Sequence, residues 1–382
     1  MIRRLPNAKI CTLFVTHGCN LNCVYCFEKF KDPRKNMPLN LAKEIIMQEV
    51  ERVKKSEIND ALKIDLFGGE PLMNFSFIKD FTGWLLEQKL DMPFIIYATT
   101  NGTLLDEEKQ KWFREHKDIF VLVMSVDGNS MMQKNNRGVS LEKLPVEFAY
   151  ELWPDQPFKM TISKDSIKTL SKGLLSLARK GYLIDCRLAQ GENWGKEDAA
   201  HYKRELEIIA RFFMKNPRYQ PPSLFTKLYG NILTANTPLQ YCGTGTNMTA
   251  YDVDGKSYPC HLFTPIVLGK DDRENLAKIN FHDPEALTDP ACKGCKLDRI
   301  CPTCVGYNYF MRGDVRTRDK SMCRLMLEEA KVISAFQINY YTRGKKSLTD
   351  EELMKLKASL KVYESVKDFS FESELINEIV EH

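Results

Sequence analysis

The sequence has no apolar run near the roughly 18 residues that a bilayer-spanning helix needs. It also lacks a basic n-region followed by an apolar h-region, so no export signal is read and the expected location is cytoplasmic. Neither charge dominates: 55 Lys and Arg against 51 Asp and Glu leave a formal net charge of +4. That balance is too even to point to nucleic acid or an anionic membrane as the partner. Internal repeats and low-complexity segments are missing as well. With 382 residues, 43% of them hydrophobic, the chain has room for one globular domain of barrel size and a smaller one.

What it has is thiols. Twelve Cys in a reducing compartment are poor disulfide candidates, so those that cluster read as metal ligands. Only Cys11 and Cys186 stand apart. Cys19, Cys23 and Cys26 lie in Thr16-His17-Gly18-Cys19-Asn20-Leu21-Asn22-Cys23-Val24-Tyr25-Cys26-Phe27, just after an apolar strand-like run. Three thiolates on one short loop can hold three irons of a cubane cluster and leave the fourth open to chemistry. A zinc knuckle is the alternative.

Periodicity alternates strand and helix through residue 191. Apolar runs at 10–15, 62–67, 94–98, 121–126, 159–162 and 184–188 are separated by helical patterns at 41–53, 75–88, 106–115 and 166–180. Six such units imply a parallel sheet covered by helices, too short for a closed eight-stranded barrel and therefore an open one. Ligands of such sheets gather at the C-terminal strand ends. Residues 192–240 read as a helical connector, 241–325 as a Cys-rich domain held by metal rather than by a packed core, and 326–382 as a charged helical tail in solvent. The tail contains a helix start at Thr349-Asp350-Glu351-Glu352.

Polar motifs stand at the ends of the strand-like runs. Gly68-Gly69-Glu70-Pro71 offers two residues without a Cβ, which let the backbone approach a ligand, and a carboxylate able to accept from an ammonium group. Asn101 and Ser125 follow the third and fourth runs, and Arg137 lies in Asn135-Asn136-Arg137-Gly138. Seven more thiols follow within residues 242–323: Cys242, Cys260, Cys292, Cys295, Cys301, Cys304 and Cys323.

The C-x3-C-x2-C loop, with an aromatic residue before its last Cys, resembles the cluster loop of the radical S-adenosylmethionine (SAM) enzymes. The later thiols resemble the SPASM extension, as in anaerobic sulfatase maturases and peptide-modifying relatives. The resemblance covers roughly residues 10 to 325 and implies a partial (β/α)6 barrel, a small auxiliary-cluster domain and C-terminal helices. It implies SAM and a [4Fe–4S] cluster on Cys19, Cys23 and Cys26. SAM contacts would come from Gly68, Gly69, Glu70, Asn101, Ser125 and Arg137, with Tyr25 near the adenine. One auxiliary cluster would take Cys292, Cys295, Cys301 and Cys323, and the other Cys242, Cys260 and Cys304.

Sulfatase maturases carry an eighth thiol between the equivalents of Cys242 and Cys260. Here Met248 is the only sulfur in that interval, so the inner cluster has an open iron or a non-thiolate ligand, for which adjacent His261 is a candidate. His261 also replaces an Asp proposed in those relatives as a base, and it could act as base or as second-sphere donor. Cys186 could quench a substrate radical or serve as a small buried residue.

The resemblance implies hydrogen abstraction by a 5′-deoxyadenosyl radical and oxidation of a peptide or protein side chain, with an electron donor such as flavodoxin or ferredoxin. Only residues 1–18 precede the loop, so recognition of a peptide leader would fall to the barrel mouth, the tail or a separate protein. A dehydrogenase of a small molecule is the rival enzyme, and a non-catalytic zinc- or iron–sulfur-binding protein the rival from another class.

Overall fold

The computed structural model describes residues 5–227, 229–233, 242–301, 303–343 and 347–370. The end of the connector (234–240), residue 241 and the last part of the tail (371–382) lie outside the described residues.

Strands β1 (Ala8–Thr16), β2 (Ala61–Gly68), β3 (Phe94–Thr100) and β4 (Phe120–Met124) form a parallel sheet. Strands β5 (Phe158–Ile162) and β6 (Ile184–Leu188) pair in parallel beyond it, joined to β4 by a bridge between Ser125 and Lys159. Between and after these strands run α1 (Leu39–Lys54), α2 (Phe75–Glu87), α3 (Glu107–His116), α4 (Ser130–Arg137), α5 (Val146–Leu152), α6 (Leu170–Ala178) and α7 (Lys196–Lys215). This is the open α/β barrel expected from the periodicity. Asp106 starts α3 by accepting Lys109 N at 3.0 Å, as its sequence suggests.

The Cys-rich segment contributes two strands that its sequence did not announce. β7 (Met248–Tyr251) pairs in parallel with β1, and β8 (Ser257–Tyr258) pairs antiparallel with β7, giving the order β4-β3-β2-β1-β7-β8. Tyr251 donates to the buried Glu49 of α1 at 2.5 Å, fixing the added strand to the first helix. Beyond it come the single turns α8 (Pro265–Leu268) and α9 (Arg273–Leu276), then α10 (Val305–Arg312), α11 (Cys323–Thr342) and α12 (Asp350–Val366). Tyr258, Leu262, Phe263, Ile266 and Val267 are buried in the same core as the barrel. This segment is therefore held in part by apolar packing that it shares with the barrel, and not by metal alone.

The C-terminal helices also pack more closely than a solvated tail would. Thr349 and Glu352 form a reciprocal cap on α12, with Glu352 N to Thr349 Oγ1 at 3.2 Å and Thr349 N to Glu352 Oε2 at 3.0 Å. Ala358, Ser359, Val362 and Val366 are buried, and Ser359 donates to Gln337 of α11 at 2.5 Å. Lys357, Lys361, Glu364 and Lys367 of this segment are exposed, which is why composition alone suggested solvent.

Candidate active site

The cysteine loop leaves β1 and is fastened to the end of β2. Gly69 N donates to Thr16 O at 3.2 Å and Glu70 N to Gly18 O at 2.8 Å. A Cβ on Gly68 would stand 2.2 Å from Thr16 O, and one on Gly69 would stand 2.3 Å from Gly18 O and 2.8 Å from Cys19 Cβ. The close approach that these glycines permit is thus made to the cysteine loop itself. His17 Nε2 lies 2.5 Å from Asp252 Oδ1, tying the loop to the β7–β8 turn.

The polar residues at the next strand ends hold the loop from the other side. Glu70, 1% exposed, accepts Thr100 Oγ1 at 2.8 Å, Asn101 N at 2.7 Å and Leu72 N at 3.1 Å. Burial pushes its pKa up to about 6, against those hydrogen bonds. Asn101 Nδ2 donates to Asn20 Oδ1 in the loop at 2.9 Å. Asp127, fully buried, is the hub that sequence reasoning passed over. It accepts the Tyr25 hydroxyl, Arg137 Nε at 2.9 Å, Arg137 Nη2 at 3.3 Å, Asn136 Nδ2 at 3.2 Å and Thr161 N at 2.8 Å. Arg137 is accordingly buried, with its guanidinium 5.5 Å from the centroid of the Tyr25 ring. The Ser125 hydroxyl, on a buried residue, makes no hydrogen bond among the described residues.

The loop fits a cluster with three thiolate ligands. Arg137 interacts with Cys23, and Lys31 is held above its usual pKa, against burial, by Cys26, Cys19 and Glu28 together. Two cations beside three thiols reduce the cost of thiolate formation, although burial outweighs the backbone hydrogen bond and Lys31 at Cys19 and leaves its pKa raised to about 11. Among the described residues, no three Cys, His, Asp or Glu side chains come together at the spacing of a bound metal ion.

The later thiols separate into two groups. Cys301, pushed up to about 12 by burial, interacts with Cys323, Cys292 and Cys295. These four line a cavity of about 40 Å³, with Cys304 on its wall. Cys260 interacts instead with Cys304 and Cys242. Cys304 occupies the N-cap position of α10 and Cys323 begins α11, positions where the helix N-terminus favours a thiolate.

Thr244, 2% exposed, occupies the interval where an eighth thiol is missing. Its hydroxyl lies 2.9 Å from Cys242 Sγ and also hydrogen-bonds Cys260. His261 points elsewhere. Its ring centroid is 4.8 Å from that of Phe67 and 5.6 Å from that of Phe27, at the mouth of the barrel. Burial pushes its pKa down to about 4, and Lys159 adds to the effect. Its adjacency to Cys260 in sequence therefore does not make it a partner of that thiol group.

Cys186 is 1% exposed and faces the outer helices: the buried Tyr202 of α7 and Glu329 of α11 both interact with it. The small buried residue is the role that the geometry gives it, since alternation along β6 turns Asp185 and Arg187, not Cys186, to the open side.

Residues 13–144 match the Radical SAM superfamily. The chain carries a radical SAM domain. Over a longer span it is 25% identical to a cysteine-type anaerobic sulfatase-maturating enzyme of Clostridium perfringens, covering 86% of this chain and 92% of that enzyme. An uncharacterized protein of Methanocaldococcus jannaschii is 31% identical over 35% of this chain, and the match spans 45% of its length. Among solved structures, native anSMEcpe with bound AdoMet and Cp18Cys peptide superposes with a TM-score of 0.64 at 21% identity, covering 88% of this chain and 99% of that one. The fold likeness thus runs past the radical SAM domain into the Cys-rich region. The radical SAM family uses SAM and a [4Fe–4S] cluster, and the C-terminal cysteines of this chain fit auxiliary clusters. No helix among the described residues is long and apolar enough to cross a membrane.

Proposed function

We propose that this radical SAM enzyme oxidatively modifies a side chain of a peptide or protein, by a carbon–carbon or thioether crosslink or by side-chain oxidation. The observation that carries the reading is His261: the Cys-rich region places this ring against Phe27 of the cysteine loop and Phe67 of β2. A substrate entering the mouth then lies between the two thiol-bearing regions. The relative solved with a bound peptide supports a peptide as the occupant.

When bound, the clusters supply single-electron chemistry: cleavage of SAM to a 5′-deoxyadenosyl radical, hydrogen abstraction from the substrate, and removal of the remaining electron. Cys19, Cys23 and Cys26 would hold the cluster that binds SAM. Cys292, Cys295, Cys301 and Cys323 would hold one auxiliary cluster, and Cys242, Cys260 and Cys304 the other. Glu70 and Ser125 orient SAM, and Tyr25, Asn101 and Arg137 fix the loop beside it. His261 accepts the proton that leaves the oxidised substrate. The first electron comes from a carrier of flavodoxin or ferredoxin type, and a separate protein delivers a leader peptide if one is needed.

The test is anaerobic co-expression with candidate peptides followed by mass spectrometry. The expected product has lost two hydrogen atoms, with 5′-deoxyadenosine formed in step. If 5′-deoxyadenosine forms with a small alcohol or amine while every peptide stays unchanged, the small-molecule dehydrogenase takes its place.

A further inference from the structure

Strands buried on both faces are usually apolar throughout, but here the face turned away from the helices carries charge that the radical chemistry leaves unused. Lys63 and Asp65 alternate on β2, and Tyr97 stands opposite Asp65 in the β2–β3 register. Lys63 Nζ lies 4.2 Å from the centroid of the Tyr97 ring, and Lys159 of β5 donates to Thr99 Oγ1 at 3.0 Å. Among the described residues neither lysine forms an ion pair and Asp65 accepts no hydrogen bond. All three share one face, because Lys63 covers the ring of Tyr97, Asp65 stands opposite Tyr97, and Lys159 reaches Thr99, two residues farther along β3 and so on the same face. Lys159 also influences His261 at the mouth above. Arg187 and Asp185, 3.5 Å apart, neutralise each other farther along the wall. Two lysines against one aspartate thus leave positive charge in excess on this face, and the Lys159 ammonium, reachable from solvent, is free to meet an anion.

We propose that this lumen binds a carboxylate of the substrate, with Lys159 as its direct partner and Lys63 behind it, so that the preferred substrate carries an acidic group beside the residue modified. The inference rests on the peptide reading above for its source, since a peptide side chain and a free small acid present the same carboxylate.

The experiment uses the reconstituted holoenzyme with SAM in two arms. In the first, a randomised peptide library is passed over immobilised protein and the retained peptides are sequenced. Asp and Glu should be enriched with wild type, the enrichment should vanish with Lys159→Gln, and Lys159→Glu should favour Lys and Arg. In the second, succinate binding is compared with that of neutral succinamide, and Lys159→Gln should weaken succinate about tenfold without affecting succinamide. The Lys159 side chain is exposed, so the substitution is tolerated by the fold.

Succinate binding that depends on Lys159 with no peptide retained upholds the carboxylate site and refutes the peptide reading. Equal acidic enrichment in wild type and Lys159→Gln, or neither ligand discriminating, overturns the site. A loss of SAM affinity in Lys159→Gln assigns this lysine to the cofactor's carboxylate and likewise overturns it.

Discussion

Replacing Asp127 with Asn keeps the shape of the side chain and removes its charge, at the point where α4, β5 and the cysteine loop meet. Asp127 accepts from Tyr25, Asn136, Thr161 N and both Nε and Nη2 of Arg137. An amide oxygen can keep Thr161 N and one more donor, but the new NH2 faces donors on Arg137 and Asn136, and the buried guanidinium loses its counter-charge. Breaking a buried pair from one side costs about 3–5 kcal/mol, more than the few tenths expected of a surface charge.

The assay is the urea midpoint of the reconstituted protein, followed by tyrosine and tryptophan fluorescence, alongside SAM affinity. Asp127→Asn should lower both. The double variant Asp127→Asn/Arg137→Met should recover part of the stability, with a coupling of about 2 kcal/mol, because it is the unpaired guanidinium that costs. A midpoint unchanged in Asp127→Asn, or a double variant no more stable than the single, would refute the reasoning.

Other perturbations test other parts of the site. Gly69→Ala places a Cβ 2.3 Å from Gly18 O, so it should displace the cysteine loop and remove about four irons per chain while iron bound by the later thiols remains, as read by iron and sulfide analysis. Cys292→Ala/Cys295→Ala should still make 5′-deoxyadenosine and lose modified product; full product formation, followed by chromatography of both compounds, would overturn the role given to that thiol group. Thr244→Val should shift the paramagnetic resonance of the reduced auxiliary centres in protein lacking Cys19, Cys23 and Cys26, and Thr244→Ser should restore it. His261→Ala should leave that signal alone.

The barrel was legible because its strands and helices obey simple periods. The run at 184–188 coincides with β6, and Asp106 caps α3 as its position before two glutamates suggests. The β7–β8 pair was not legible. β7 is four residues long and β8 two, and they hold their place through β1 and through the Tyr251 bond to Glu49, a contact some 200 positions distant that no local pattern carries. The charged lumen did leave a trace in Leu62-Lys63-Ile64-Asp65-Leu66, an alternation out of keeping with a strand covered on both faces. Weighing that alternation alongside hydrophobicity would have marked Lys63 and Asp65 as residues of the interior face.

Motif matching named the thiols but could not say which groups stand beside them. Cys260 and His261 are neighbours in sequence, yet Cys260 turns to Thr244, Cys242 and Cys304, while His261 turns to Phe27 and Phe67. Extended backbone explains the divergence: Cys260 has φ −161° and ψ 176°, and in such a conformation successive side chains project to opposite sides. One two-residue step therefore serves two sites, a thiol for the inner auxiliary group and an imidazole for the barrel mouth. Bare Gly306 permits this crowding, since a Cβ there would stand 2.7 Å from Leu262 Cβ and 3.4 Å from Cys260 Sγ. A bulkier residue at 306 would press on the same turn from the α10 side and displace Cys260 and Leu262 together, and with them the His261 ring that lies between them in the chain.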